Sequence, residues 1–306
     1  MHKKTLSVVT PNYNHGKYLP QAIEAVIGQT RPPDEYIVLD DQSSDNSLSI
    51  ISEYAQKCSF LRLIVNDKNM GVVKNFQRLI SEASGDYIYC GAADDYILPG
   101  FFEKAMEMAD LYPEAGIIFG NIVLVDENEK QMGVSDIPSW IKPEYISPQR
   151  YLHEYLEKYP INHSLSGATI LRKSCLEEAG GFRPELSTWG DTFASRAIAL
   201  KYGACYIPQP FMKWRVLPDS FSNKISKEFR QFFRTILKAT KLMRSQKFVE
   251  RFPENYVSSF EKRCRRFVLL NSLLANSGIL GEYLKKIFRM LSKSSLTKPF
   301  LPPRNV

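Results

Sequence analysis

The chain has few cysteines, and none is spaced for use. Cys58, Cys90, Cys175, Cys205 and Cys264 are five in 306 residues, an odd and scattered set. That argues against a disulfide framework or a cysteine-built metal site and fits reduced thiols in a cytosolic setting. Long apolar runs are also missing. The longest, 115–125 and 267–280, fall short of the roughly 20 residues that cross a bilayer, and Asn271, Asn276 and Gly278 interrupt the second. The first apolar run ends at Pro11, too soon for the core of a secretory signal. No Gly-x-Gly-x-x-Gly follows a strand-like segment, which argues against nicotinamide-dependent hydride transfer. The first strand also lacks the glycine-rich phosphate loop of a nucleotidyltransferase.

What is present is an ordinary globular composition, 44% apolar and 24% charged. The net charge of +7 hides a division. Residues 1–219 carry 21 Lys+Arg against 28 Asp+Glu, and residues 220–306 carry 19 against 5, so −7 and +14 give the total. An acidic body followed by a basic tail places a domain boundary at about residue 222.

Within the body, the stretch Tyr-Ile-Val-Leu-Asp-Asp-Gln-Ser-Ser-Asp-Asn-Ser at 36–47 is the most informative. Four apolar residues run into two carboxylates and then into turn formers, as in a strand buried on both faces of a parallel sheet. Asp40 and Asp41 then fall at the strand's carboxyl end, where open α/β sheets bind ligands. Capping of the next helix is the plainer alternative. Upstream, Leu6–Thr10 reads as a strand broken by Pro11, and Leu19, Ile23 and Val26 are spaced for a helix. Leu61–Val65, a helix from Val72, a strand at 85–91 and another at 116–125 continue the βαβ rhythm of a doubly wound, mostly parallel sheet.

The order Ser-Val-Val-Thr-Pro-Asn-Tyr-Asn, Gln-Thr at 29–30, and Ile-Val-Leu-Asp-Asp-Gln-Ser-Ser-Asp-Asn-Ser resembles the family 2 glycosyltransferases of the GT-A fold. The likeness runs to about residue 222. It implies a catalytic domain over 1–222, with a nucleotide-binding half at 1–115 and an acceptor half at 116–222. Residues 223–306 form a helical basic extension. The resemblance implies inverting transfer from a nucleoside-diphosphate sugar, a UDP- or dTDP-sugar, to a saccharide or lipid-linked saccharide hydroxyl in cell-surface polysaccharide synthesis.

The same resemblance suggests roles for particular residues. Thr10, Pro11, Tyr13 and Asp41 lie on the nucleotide side. Lys74, in Gly-Val-Val-Lys-Asn-Phe, stands in the first turn of a helix, where a cation and a helix N-terminus can meet a diphosphate; a solvated lysine is the alternative. Asp94 and Asp95 end the strand at 85–91, and hard carboxylate oxygens there suit Mn²⁺ or Mg²⁺. The family's usual Asp-x-Asp-Asp has Ala92 in its first place in this chain. That departure motivates an alternative function: a catalytically impaired nucleotide-sugar-binding protein on the same scaffold. Asp191, in Trp-Gly-Asp before a helix containing Arg196, matches the family's general base, with helix capping as the alternative. Arg215, in Lys-Trp-Arg-Val-Leu-Pro-Asp-Ser-Phe-Ser, matches an arginine whose loop closes over the diphosphate. His163 is a weaker candidate for phosphate or acceptor, and the aromatics of 133–160 are either sugar platforms or packed core.

In the tail, Ile225, Phe229, Phe232, Ile236 and Met243 share one helical face, opposite Lys227, Arg230, Arg234, Lys238 and Lys241. Two readings stand: docking on an anionic membrane, peripheral to the inner face, or packing within a helical subdomain. Nucleic acid is not expected, since no binding motif accompanies the charge.

Overall fold

The computed structural model describes residues 3–159, 163–217 and 229–276. Its first half alternates as the apolar periodicity requires: β1 (Leu6–Asn12), α1 (Leu19–Ile27), β2 (Glu35–Asp40), α2 (Ser47–Lys57), β3 (Leu61–Val65), α3 (Val72–Glu82) and β4 (Tyr87–Cys90). These strands lie in the order β3-β2-β1-β4, all parallel. Every side chain of β1, and Tyr36 to Leu39 of β2, is buried, which is why the second reads as an unbroken apolar run and the first is mostly apolar, with Ser7, Thr10 and Asn12 buried as well.

The second half adds β5 (Tyr96–Ile97), α4 (Phe101–Leu111), β6 (Ile117–Val125), β7 (Gln131–Ser135), β8 (Glu144–Ile146), α5 (Pro148–Arg150), β9 (Thr169–Arg172), α6 (Lys173–Ala179), α7 (Gly190–Tyr202) and β10 (Ala204–Arg215). The sheet continues β4-β9-β6-β10-β5, with β7 on β6 and β8 on β10. β6 and β10 are parallel, whereas β9 runs antiparallel between β4 and β6. Packing of α3 on β1, α4 on β6 and β10, and α7 on β6 closes the core.

Two elements differ from the sequence expectation. β1 does not stop at Thr10 but continues through Pro11 to Asn12, paired with β2 in register at Pro11–Leu39 and Asn12–Asp40. Pairing with β4 ends at Val9–Cys90, so the N–H that Pro11 lacks would have faced the side where the ladder is already over. β10 is a strand to which the sequence reading assigns nothing; register shifts at Ile207/Pro210 and Pro210/Met212 absorb Pro208 and Pro210 as bulges.

The compact units are Met1–Pro148 with Ser164–Val216, and Gln149–His163 with Leu217–Val306. In the second, the Phe229–Met243 helix packs on the Glu254–Asn276 helix. Ile236, Ala239, Met243, Phe248, Phe252, Tyr256, Phe260 and Cys264 are buried there. Of the expected apolar stripe Ile236 and Met243 are covered within this unit, the side chains of Phe229, Phe232 and the basic Arg230 lie outside the described residues, and Arg234, Lys238 and Lys241 are exposed. Ile225 and Lys227, and the helix expected at 282–292, lie outside the described residues. Arg263 donates to the carbonyls of Leu156, Glu157 and Tyr159 at 3.1–3.3 Å, fastening the 149–163 segment to this unit. His163 belongs to the same unit: its Nδ1 is 3.0 Å from the Tyr155 hydroxyl and its ring packs on Tyr159.

Candidate active site

At the carboxyl ends of β1 and β2, acidic side chains organise loops. Asp40 accepts Asn12 Nδ2 at 2.8 Å, the Ser43 N–H at 2.9 Å and the Ser43 hydroxyl at 2.7 Å. Asn14 (φ 58°) and Gln42 (φ 63°) both sit in the left-handed region beside this knot. Asp41 turns the other way. It accepts Asn66 Nδ2 at 2.6 Å, the Met70 N–H at 2.8 Å and the Gly71 N–H at 2.9 Å. Burial pushes the Asp41 pKa up, but donors from Met70, Asn66, Asn75 and Gly71 outweigh it and hold the carboxyl below the usual range. Asp41 thus fixes the turn that starts α3. Capping of α2 is not its role: that helix begins after Asn46, and Asp45 accepts the Ser47 N–H at 3.0 Å.

The turn after β4 carries the second acidic pair. Asp95 is buried and its Oδ1 accepts the Arg215 N–H at 2.8 Å, which ties this turn to the end of β10. Burial drives the Asp95 pKa well up, and the charge of Asp94 adds to that; Arg215 opposes it. Thr10, Gly91, Ala92, Asp95 and Tyr96 line a small recess beside the pair. Gly91 matters there: a Cβ would come within 2.9 Å of Thr10 Oγ1 and close the gap between β1 and β4. Among the described residues no three His, Cys, Asp or Glu side chains gather as a metal cluster. Two crowded carboxylates, one costly to ionise where it lies, fit a divalent cation that takes its other ligands from water and phosphate.

Arg215 is held on every side. Its guanidinium donates to Glu129 Oε1 from Nε at 2.9 Å and Nη2 at 2.6 Å, and to the Asp94 carbonyl at 2.5 Å. A further bond from Nη2 reaches Gln21 Oε1. The Tyr18 and Tyr96 rings lie 5.0 and 4.9 Å from the guanidinium carbon, and only 3% of the side chain is exposed.

Asp191 stands in the first turn of α7. Its Oδ1 accepts the Thr192 N–H at 2.6 Å, so part of its task is to satisfy a helix N-terminus. It is half-buried, and desolvation raises its pKa above the aspartate norm. Bonds from the Thr192 N–H, the Thr192 hydroxyl and the Ser166 hydroxyl pull the other way. Those hydroxyls belong to a small cluster, with Ser164 Oγ 2.8 Å from Ser166 Oγ and 3.4 Å from Thr192 Oγ1. The Tyr89 hydroxyl of β4 donates to the Gly167 carbonyl at 2.9 Å, one residue beyond Ser166, which joins this cluster to the end of β4.

The sequence candidates therefore fall into distinct environments. Thr10 and Pro11 are buried at the end of β1, and Tyr13 beyond them is 47% exposed. Lys74 is exposed on the first turn of α3, with no hydrogen bond or ion pair to another described residue. Trp140 is packed core between Phe119 and Tyr206, not a sugar platform. Sequence reasoning missed Glu129, Ser166 and Thr192. Only Glu129 carried a signal, as one acid in the polar turn 126–130.

Comparison with known proteins bears on this arrangement. The Glycosyl transferase family 2 profile matches residues 7–180. An uncharacterized glycosyltransferase of Methanocaldococcus jannaschii is 27% identical over 233 residues, 74% of this chain and 77% of its own. S. aureus TarS 1–349 in complex with UDP-GlcNAc superposes with a TM-score of 0.71 at 18% identity, over 91% of this chain and 77% of that one. Mannosyltransferase PcManGT from Pyrobaculum calidifontis, in complex with GDP-Man and Mn²⁺, gives 0.60 at 16% identity, over 96% and 81%. The two structural likenesses establish the GT-A fold, mixed α/β with a mostly parallel central sheet. With the profile spanning more than half of its length, the chain belongs to Glycosyl transferase family 2 and is a glycosyltransferase.

Proposed function

We propose that the protein transfers a sugar from a nucleoside-diphosphate donor, a UDP- or dTDP-sugar, to a saccharide or lipid-linked saccharide hydroxyl, with inversion. The observation that carries this reading is the position of Asp191. A half-buried carboxylate with a raised pKa stands in a hydroxyl cluster that Tyr89 of β4, the strand leading to Asp94 and Asp95, joins through the Gly167 carbonyl at 2.9 Å. An acceptor hydroxyl is a poor nucleophile until a base takes its proton, and a raised pKa suits a carboxylate to that work near neutral pH. With Asp191 taking the proton, the acceptor oxygen bonds the anomeric carbon from the face opposite the diphosphate as the carbon–diphosphate oxygen bond breaks, one displacement that inverts the centre.

In this reading Thr10, Pro11, Tyr13 and Asp41 frame the nucleotide, Asp41 through the turn it fixes at Met70 and Gly71. Lys74 and Arg215 serve the diphosphate. Asp94 and Asp95 hold a divalent ion, Mn²⁺ or Mg²⁺, which when bound supplies positive charge to the leaving diphosphate. The donors carried by TarS and PcManGT support the donor class and not the choice of base.

The test is a thermal-shift panel of nucleotide-sugars with and without Mn²⁺, followed by product analysis with the stabilising donor. Stabilisation by a nucleotide-sugar and an inverted product support the reading; no stabilisation by any member sinks it. Binding without turnover on any hydroxyl acceptor favours the impaired binding protein that Ala92 suggests. Among the described residues no helix is long and apolar enough to cross a membrane. We retain residues 223–306 as a basic extension that meets an anionic, inner-face membrane through exposed Arg234, Lys238 and Lys241. Ile236 and Met243 play no part in that contact, because they are buried within the helical unit.

A further inference from the structure

We propose that Glu129 is an internal stand-in for the donor diphosphate, occupying an anion cradle built by Arg215, Lys213 and Tyr96 that the incoming donor must take over. The proposal rests on the nucleotide-diphosphate reading above and adds two cradle residues and a competitor to it.

Four donors converge on the Glu129 carboxylate. Arg215 contributes Nε at 2.9 Å and Nη2 at 2.6 Å, the Tyr96 hydroxyl stands at 2.5 Å, and Lys213 Nζ at 3.6 Å. An arginine fork, an ammonium and a phenol around one anion are the donors that recognise phosphate. Arg215 is the fixed part, with Lys213 beside it at the cradle's rim. Lys213 and Arg215 are two apart on β10, hence on one face of the strand, and Arg215 is wedged between Tyr18 and Tyr96. Lys213 lies over the Tyr96 ring as well, at 5.5 Å.

The anion is the replaceable part. Glu129 sits on a surface turn and is 37% exposed, against 3% for Arg215. Its φ of 63° is a left-handed conformation that suits glycine or asparagine better. Asp126 holds the turn in place through the Asn128 and Lys130 N–H groups, at 2.9 and 3.0 Å, and so aims Glu129 at the cradle. The cradle is joined to the acidic pair, since Arg215 bonds both the Asp94 carbonyl and Asp95 Oδ1. A diphosphate reaching Asp94 and Asp95 therefore arrives at the cradle's edge, and Glu129 can turn out to solvent as phosphate oxygens replace its own.

The test uses the full chain and calorimetric titration with inorganic pyrophosphate in metal-free buffer, then with UDP plus Mn²⁺. Glu129→Gln should bind both about tenfold more tightly than wild type, the loss of one competing charge-assisted contact. Adding Lys213→Gln should remove the gain. Unchanged or weaker pyrophosphate binding by a well-folded Glu129→Gln overturns the proposal and makes Glu129 a fixed strut for Arg215. Should that variant fold poorly, Lys213→Gln alone decides: a severalfold loss of pyrophosphate affinity supports the cradle, and no change rejects it. A gain for pyrophosphate with no nucleotide bound by any variant keeps the cradle and rejects the donor reading. Nucleotide binding by wild type with no gain in Glu129→Gln rejects the cradle alone.

Discussion

Replacing Asp191 by Asn should abolish turnover and at the same time stabilise the fold. The two effects have one origin. Burial is the largest influence on Asp191 and raises its pKa in the folded state. In the unfolded chain the group ionises at about 3.9. Above both values the folded protein holds a carboxylate it would rather protonate, and each unit of elevation costs about 1.4 kcal/mol of stability. The sign follows: the native state is favoured at low pH, and that advantage is lost as pH rises through the folded pKa. Asn carries no charge, so the variant escapes the loss. It also keeps the helix contact, because its carbonyl oxygen can accept the Thr192 N–H as Asp191 Oδ1 does. The Ser166 and Thr192 hydroxyls can rotate to accept from the new amide. Melting at pH 7 should rise by about 2–4 °C for each kcal/mol recovered, the scale of a domain this large. The gap between variant and wild type should close as pH falls toward 4. Turnover should drop by about 10²-fold or more with donor affinity kept. A lower melting temperature at pH 7 would refute the reasoning and make Asp191 chiefly a helix-capping residue, for which a loss of about 1 kcal/mol is usual.

Three further outcomes follow from named contacts. Ser166→Ala removes a donor that restrains the Asp191 pKa, so the acidic limb of kcat/KM should move to higher pH; a limb that stays put means Ser166 does not act on the base. Asp41→Ala strips the acceptor from Asn66, Met70 and Gly71 and should cost about 3 kcal/mol by chemical denaturation, with UDP affinity reduced; a loss under 1 kcal/mol would show that the turn holds itself. Changing Arg234, Lys238 and Lys241 together to Glu should release the protein from anionic vesicles at low salt, since each exposed cation contributes about 1 kcal/mol there; equal flotation of both proteins leaves the basic face as ordinary surface.

The nucleotide half of the fold was legible because burial on both faces leaves a plain mark. Tyr36–Leu39 is apolar without a break, Leu6–Val9 is broken only by Ser7, and Gly71 and Gly100 stand where α3 and α4 begin. β10 was hidden for a physical reason. Its prolines lower any strand signal, and only pairing with β6, with two register shifts, shows how the ladder steps around them. The tail was ambiguous for a different one. An amphipathic basic stripe is the same in sequence whether lipid or a second helix covers it, and it takes the fold to show Ile236 and Met243 buried where the Glu254–Asn276 helix packs on theirs.

The candidate site divides along the same line. Asp40 and Asp41 are adjacent in sequence and look like one feature, yet their carboxylates face opposite loops, one knotting Asn12 to Ser43 and the other pinning Met70 and Gly71. No periodicity separates them, because the split depends on which distant N–H groups the fold brings near. Arg215 makes the point more sharply. A motif can offer its guanidinium to a phosphate, but the partner it holds here, Glu129, lies 86 residues away in a turn with no pattern of its own. The charge that matters at Arg215 is therefore set by a contact between two strands' ends. A sequence reading that assigns a role to each motif in isolation counts the cations at such a site and misses the anion that already answers them.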